Sequence, residues 1–338
     1  MSELFIEHPH DDRYSKRFLN LAEERLGTVM LETTDDFFAE KENLIKPGRG
    51  IFIPNKFTEY GKWMDGWESR RKRVPGHDWC TLRLGAPGTI RALDIDTNHF
   101  TGNYPPFASV EACELSGDPD ESTVWTEILP KSTLQGSTQN FFEIQDSRRW
   151  THLKLHIYPD GGVARLRVYG EPSVDWSAIG PEEVFDLAAS RLGGKALACN
   201  DQHFGHMDNL VAPGRGVNMG DGWETRRRRE PGNDWAVLRL ACAGNVRKVE
   251  VDTAHFKGNY PDRCSLEALN LPAGIEPEDW FSPEVAWKTL LPEVKLEADH
   301  QHFFEKELAK VGPVTHIRLS IYPDGGVSRL RILGTKTR

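Results

Sequence analysis

DGWESRRKRVPGHDW at residues 65–79 returns as DGWETRRRREPGNDW at 221–235, and DTNHFTGNYP from Asp96 returns as DTAHFKGNYP from Asp252. Self-similarity at a long fixed period settles the architecture before any local reading. The period, about 160 residues, is that of a whole domain, so the chain reads as two copies of one domain. The match runs outward from these blocks. Asn43-Leu44 through Pro47-Gly48-Arg49-Gly50 answers Asn209-Leu210 through Pro213-Gly214-Arg215-Gly216, and HLKLHIYPDGGVARLRVYG from His152 answers HIRLSIYPDGGVSRLRILG from His316. The seam lies near 171–180, giving domains 1–171 and 172–338. The first copy alone carries about ten extra residues, roughly 51–63.

Each copy opens on a helical pattern, Phe18 to Gly27 and Val184 to Gly193. In the second, Pro181 takes the first helical position, Glu182 and Glu183 the first turn, and Gly193-Gly194 stops it. A short helix is therefore expected before each domain. Everything after it reads as strand. Arg91 to Thr97, Lys248 to Thr253 and His152 to Ile157 alternate apolar and polar residues, so each is expected to put one face on a core and one in solvent. Tyr-Pro-Asp-Gly-Gly at 158–162 and 322–326 is a hairpin signal. Short strands without interleaved helices indicate a mostly β protein of two tandem antiparallel β-sandwiches, and the long connections favour a jelly-roll-like version.

With 338 residues and a 38% apolar fraction, each copy can bury an ordinary core. A net charge of -9 argues against nucleic acid or an anionic membrane as the main partner. Five cysteines, odd in number and not duplicated between copies, read as free thiols in a reducing compartment. The N-terminus has no apolar signal region and no run is long enough to span a bilayer, so a cytoplasmic location is expected.

The doubled blocks hold the candidate site. In the first, Glu68, Arg70 and Arg71, with Glu224, Arg226 and Arg227 as twins, suit bidentate capture of a carboxylate or ureido group; the plainer reading is a solvated loop or an ion-pair network. In the second, Asp96, His99, Asn103 and Tyr104 answer Asp252, His255, Asn259 and Tyr260. A histidine oriented by a carboxylate can move protons near neutral pH. Residues three apart on a strand face opposite ways, so Asp96 can orient His99 only if the strand ends between them. Otherwise Asp96 or Asp252 caps the loop and the histidine is structural. Arg165 and Arg329, beside the third block, are candidate substrate contacts. No cofactor is expected; a divalent-metal site from these groups with Asp65 or Glu68 is the lesser alternative, since the spacing follows no established ligand motif. Phosphate-cradling glycine loops, a nucleophile elbow and a His-Glu-x-x-His pair are absent.

The twin DGWE[ST]RR…PG.DW and DT.HF.GNYP blocks and the closing IYPDGG resemble the allantoicase family, over essentially the whole chain. The resemblance implies galactose-binding-like jelly-roll domains, hydrolysis of allantoate to ureidoglycolate and urea in purine degradation, and a homo-oligomer. On the residues themselves, the expected division of labour has Arg70 or Arg71 (Arg226 or Arg227) anchoring the substrate carboxylate. His99 or His255 would move protons with Asp96 or Asp252 in support, Glu68 or Glu224 would position an arginine or the water, and Asn103, Tyr104 and their twins would bind the ureido groups. Whether each copy owns a site or one forms between them stays open at this point. The competing class is a non-catalytic jelly-roll tandem that binds a small anion or carbohydrate, because a fold does not decide a function. A third is a pair of structural sandwiches.

Overall fold

The structure, a computed structural model, describes residues 11–272 and 274–337. The chain divides after Val174 into two compact units, one per repeat.

In repeat one the strands are β1 (Leu19–Asn20), β2 (Val29–Thr33), β3 (Phe57–Thr58), β4 (Gly61–Lys62), β5 (Trp67–Glu68), β6 (Asp78–Asp96), β7 (Phe107–Cys113), β8 (Thr126–Thr133), β9 (Gln139–Glu143), β10 (Trp150–Tyr158), β11 (Gly162–Val163) and β12 (Arg165–Pro172). All pairings are antiparallel. The 19-residue β6 organises them. Its first part, Asp78 to Arg83, lies between β2 and β10, with β7 and β8 beyond. Its last part, Ala92 to Asp96, lies between β9 and β12. One strand thus serves both layers of a sandwich, changing neighbours around Gly85-Ala86-Pro87-Gly88. Repeat two repeats this plan around Asp234–Asp252.

Each sandwich closes over its own core. Trp67, Leu82, Leu93, Ile95, Val110, Leu153, Leu155, Leu166 and Val168 fill the first; Trp223, Leu238, Val249, Val251, Leu266, Leu319, Leu330 and Ile332 fill the second. Burying a side chain of this size stabilises by roughly 1.5–3 kcal/mol, so each repeat carries enough core to hold its loops in place. All five cysteines are free thiols.

Three expectations need correction. The helix before each domain is a two-residue strand followed by a 3-10 turn, Glu24–Leu26 in repeat one and Ser190–Leu192 in repeat two. Asn20 is the reason: its Oδ1 accepts from the amides of Ala22 (3.2 Å) and Val168 (2.9 Å), tying the segment to β12 instead of to itself. Asp186 does the same with Ala188 and Ile332. Second, the alternating end of β6 is buried on both faces: Asp94 and Asp96 lie under the loop that carries Arg49, not in solvent. Third, Tyr158 to Gly162 does not close a hairpin. β10 and β12 both pair with β6, on different parts of it, and the turn leads into β11, which pairs with β5.

Candidate active site

The doubled blocks converge at one end of each sandwich. β5 is a two-residue strand held between Ala39 and β11. Trp67 is fully buried and donates its indole N–H to the Asp35 carbonyl at 2.8 Å, while the next residue, Glu68, lines a hollow. Successive residues of a strand face opposite ways, which is how one residue anchors and the other serves.

Beyond β6 the chain turns sharply at His99, whose φ of 67° lies in the left-handed region; His255 repeats it at 72°. Such a conformation in a residue with a side chain is uncommon, though histidine adopts it more readily than most. Phe100, fully buried, locks the turn from behind. Its ring lies so close to Gly162 that a Cβ there would stand 1.9 Å from Cε1, and Phe256 fills the same space over Gly326. Asn103 then reaches across, its side-chain amide donating to Glu68 Oε1 at 2.7 Å. Burial raises the Glu68 carboxyl above the ordinary glutamate range, and the Asn103 bond, which favours the charged form, offsets part of this. Glu224 and Asn259 form the same pair, with the same upward shift and the same cause.

In repeat one the hollow has a volume of about 490 Å³. Glu68, His99 and Asn103 line it together with Phe52, Tyr60, Lys62 and Met64 from the extra segment and its flank. Phe52 stacks on His99, with centroids 5.5 Å apart and planes at 29°, and the Lys62 ammonium sits 4.3 Å from the other ring partner's centroid, that of Phe52.

The other expected residues lie elsewhere. Asp96 is buried and paired with Arg49, Oδ2 to Nε at 2.8 Å and Oδ1 to Nη2 at 2.9 Å; it also accepts from the Asn98 amide. The strand does end at Asp96, but its carboxylate holds Arg49 and caps the loop. Asp252 caps the Ala254 amide and meets Arg215. Arg70 turns to Asp35 (2.6 Å) and Arg226 to Asp201 (3.4 Å), while Arg71 and Arg227 are exposed. Tyr104 packs against the core, and Tyr260 is half-buried. Arg165 and Arg329 are buried ion-pair partners of Asp65 and Asp221, both at 2.7 Å. Among the described residues, no three His, Cys, Asp or Glu side chains are grouped so that they could hold a metal ion. No helix among them is long and apolar enough to cross a membrane.

The allantoicase repeat model matches residues 19–173 and again 185–337. The chain belongs to the allantoicase family. It is 55% identical over 331 residues to probable allantoicase 1 of Burkholderia mallei, covering 98% of each chain, and 54% identical over 324 residues to a probable allantoicase of Pseudomonas fluorescens, covering 94% of this chain and 96% of that one. The crystal structure of allantoicase from Saccharomyces cerevisiae superposes with a TM-score of 0.79 at 35% identity, covering 96% of this chain and 95% of that one. The sequence reading did not anticipate Lys62, Phe52 and Tyr60 in the lining of the hollow. The signal was there: fourteen residues, 51–64, separate Gly50 from Asp65, against four, 217–220, between Gly216 and Asp221, and the longer segment is rich in aromatic rings and lysine.

Proposed function

We propose that the chain hydrolyses allantoate to ureidoglycolate and urea, and that the hollow of repeat one is where it does so. Membership of the allantoicase family supports the reaction. The observation that carries the location is the meeting of Glu68, His99 and Asn103 around a hollow of about 490 Å³, a size suited to a small ligand.

The reaction breaks the bond from the methine carbon to one ureido nitrogen and makes a bond from that carbon to a water oxygen. Two proton movements accompany it. Glu68, made more basic by burial, takes a proton from the attacking water. His99 in its imidazolium form gives one to the departing ureido nitrogen, which leaves as urea. The proton on Glu68 returns to the imidazole through solvent, and the site is reset. Asn103 keeps Glu68 in place and, with its carbonyl accepting from the Gly162 amide at 2.7 Å, is itself fixed. Holding water, acid and base in register lowers the barrier further.

The test is direct: the purified protein is incubated with allantoate, with and without a chelator, and urea and ureidoglycolate are measured. Both products are expected in equal amounts. Binding of allantoate without release of urea, with or without added divalent metal, would turn the reading to a binding module.

A further inference from the structure

We infer that Lys62 is the anchor for the substrate carboxylate and that the chain has one working site, in repeat one. This rests on the allantoate reading. The substrate is an anion, and a hollow that excludes part of its water must offset that charge. Among the described residues lining the hollow, Lys62 is the only lysine or arginine. Three nearby guanidinium groups are committed, Arg49 to Asp96, Arg70 to Asp35 and Arg165 to Asp65, and Arg71, which is exposed, does not line the hollow. Lys62 instead sits on the hairpin of β3 and β4, its ammonium over the Phe52 ring, which in turn stacks on His99. A carboxylate at Lys62 and a ureido nitrogen at His99 would thus lie on neighbouring positions along one stacked row.

Repeat two has no counterpart for this. Four residues, Val217-Asn218-Met219-Gly220, replace the hairpin segment, and none of them is a lysine, an arginine or an aromatic residue. Its histidine is also used differently. The His255 ring bonds through Nε2 to the Gly216 carbonyl at 2.8 Å. In repeat one the matching carbonyl, that of Gly50, accepts instead from the Asn98 side chain at 2.8 Å, and His99 lines the hollow. Alanine stands at 254 where repeat one has Asn98, so repeat two lacks the group that would take that carbonyl from the imidazole.

The experiment combines kinetics with a count of sites. Lys62→Ala is expected to raise KM for allantoate by about tenfold to a hundredfold, as loss of a charged hydrogen bond does, with kcat changed much less. Lys62→Arg should recover most of the lost affinity. Lys257→Ala, at the repeat-two position of the lining residue Thr101, should leave KM unchanged. Calorimetric titration with ureidoacetate, which keeps the carboxylate and one ureido arm, should give one molecule bound per chain, and none at the same concentrations in Lys62→Ala. An unchanged KM in a folded Lys62→Ala chain, or two molecules per chain, overturns the proposal while leaving allantoate hydrolysis intact. Absence of any urea from the unaltered chain removes the activity itself and the anchor with it.

Discussion

Asn103 donates its side-chain amide to Oε1 of Glu68 at 2.7 Å, and Asn259 makes the same bond to Glu224 in the second repeat. The glutamate sits on a two-residue strand and the asparagine on a loop, 35 residues apart in both repeats, and no local pattern joins them. What brings them together is the β5–β11 pairing on one side and the Phe100 turn on the other.

The bond tunes as well as positions. Burial raises the Glu68 carboxyl and Asn103 pulls it back toward the charged form, so Asn103→Ala should raise it further. A group acting as base must be ionised. The rising limb of kcat/KM against pH should therefore move to higher pH in Asn103→Ala, and disappear with most of the activity in Glu68→Gln. The stability effect has a sign of its own: a carboxyl raised by folding contributes stability that is full below its unfolded value and is lost as pH rises through its folded value. A rising limb unmoved by Asn103→Ala would show that some other group titrates there.

The left-handed turn separates the chemistry of His99 from its structural part. Asparagine accepts a φ of 67° with little strain, whereas alanine does not, so His99→Asn removes the imidazole while keeping the backbone. Turnover should fall by about 10²–10⁴-fold, the usual worth of one general acid. Melting temperature should change by less than about 3 °C. Substantial turnover in a normally folded His99→Asn chain would remove His99 from the proton path.

The repeat, the strands and the pairing of the two blocks were legible because duplication kept them at matching offsets. Glu68, His99 and Asn103 stood out for the same reason. Lys62 did not, since it lies in a segment that has no twin, and a reading built on recurrence is blind to what occurs once. The opening helix failed on a side chain: the apolar spacing of Phe18 to Leu26 is helical, but Asn20 takes two backbone amides and one of them, Val168, is 148 residues away. Distance also hid the partners of the arginines. Arg165 stands beside a turn in sequence, yet its partner Asp65 is 100 residues earlier, and Asp96, read as a support for His99, meets Arg49 from a loop 47 residues before it.

Arg165 therefore has a structural prediction. It is 3% exposed, donates to the Asp65 carboxylate and backbone carbonyl, and so ties β12 to the start of the first block. Arg165→Met leaves the Asp65 charge with its main partner gone, and removing one member of a buried pair costs about 3–5 kcal/mol. Denaturant unfolding should show that loss, with KM for allantoate unchanged where the chain is still folded. A raised KM without loss of stability would make Arg165 a substrate contact instead.

His316 makes repeat two sensitive to acid. The ring is buried against Trp280, centroids 5.5 Å apart, with Nδ1 2.9 Å from the Thr315 hydroxyl. Burial pushes the imidazole down to about 4, and the charge of Arg239 acts in the same direction. The lowered value fixes the sign: folding holds the neutral ring, so this stability is present above the unfolded value near 6.5 and is lost as pH falls toward about 4. Across that window the loss from this one group is about 3 kcal/mol. His316→Phe keeps a ring of similar size, and the Thr315 hydroxyl still has the Leu269 carbonyl at 3.3 Å. Its unfolding free energy should fall by about 3 kcal/mol less than that of the unaltered chain between pH 6.5 and pH 4. Equal slopes in the two proteins would mean that the His316 ring takes up its proton without leaving the core.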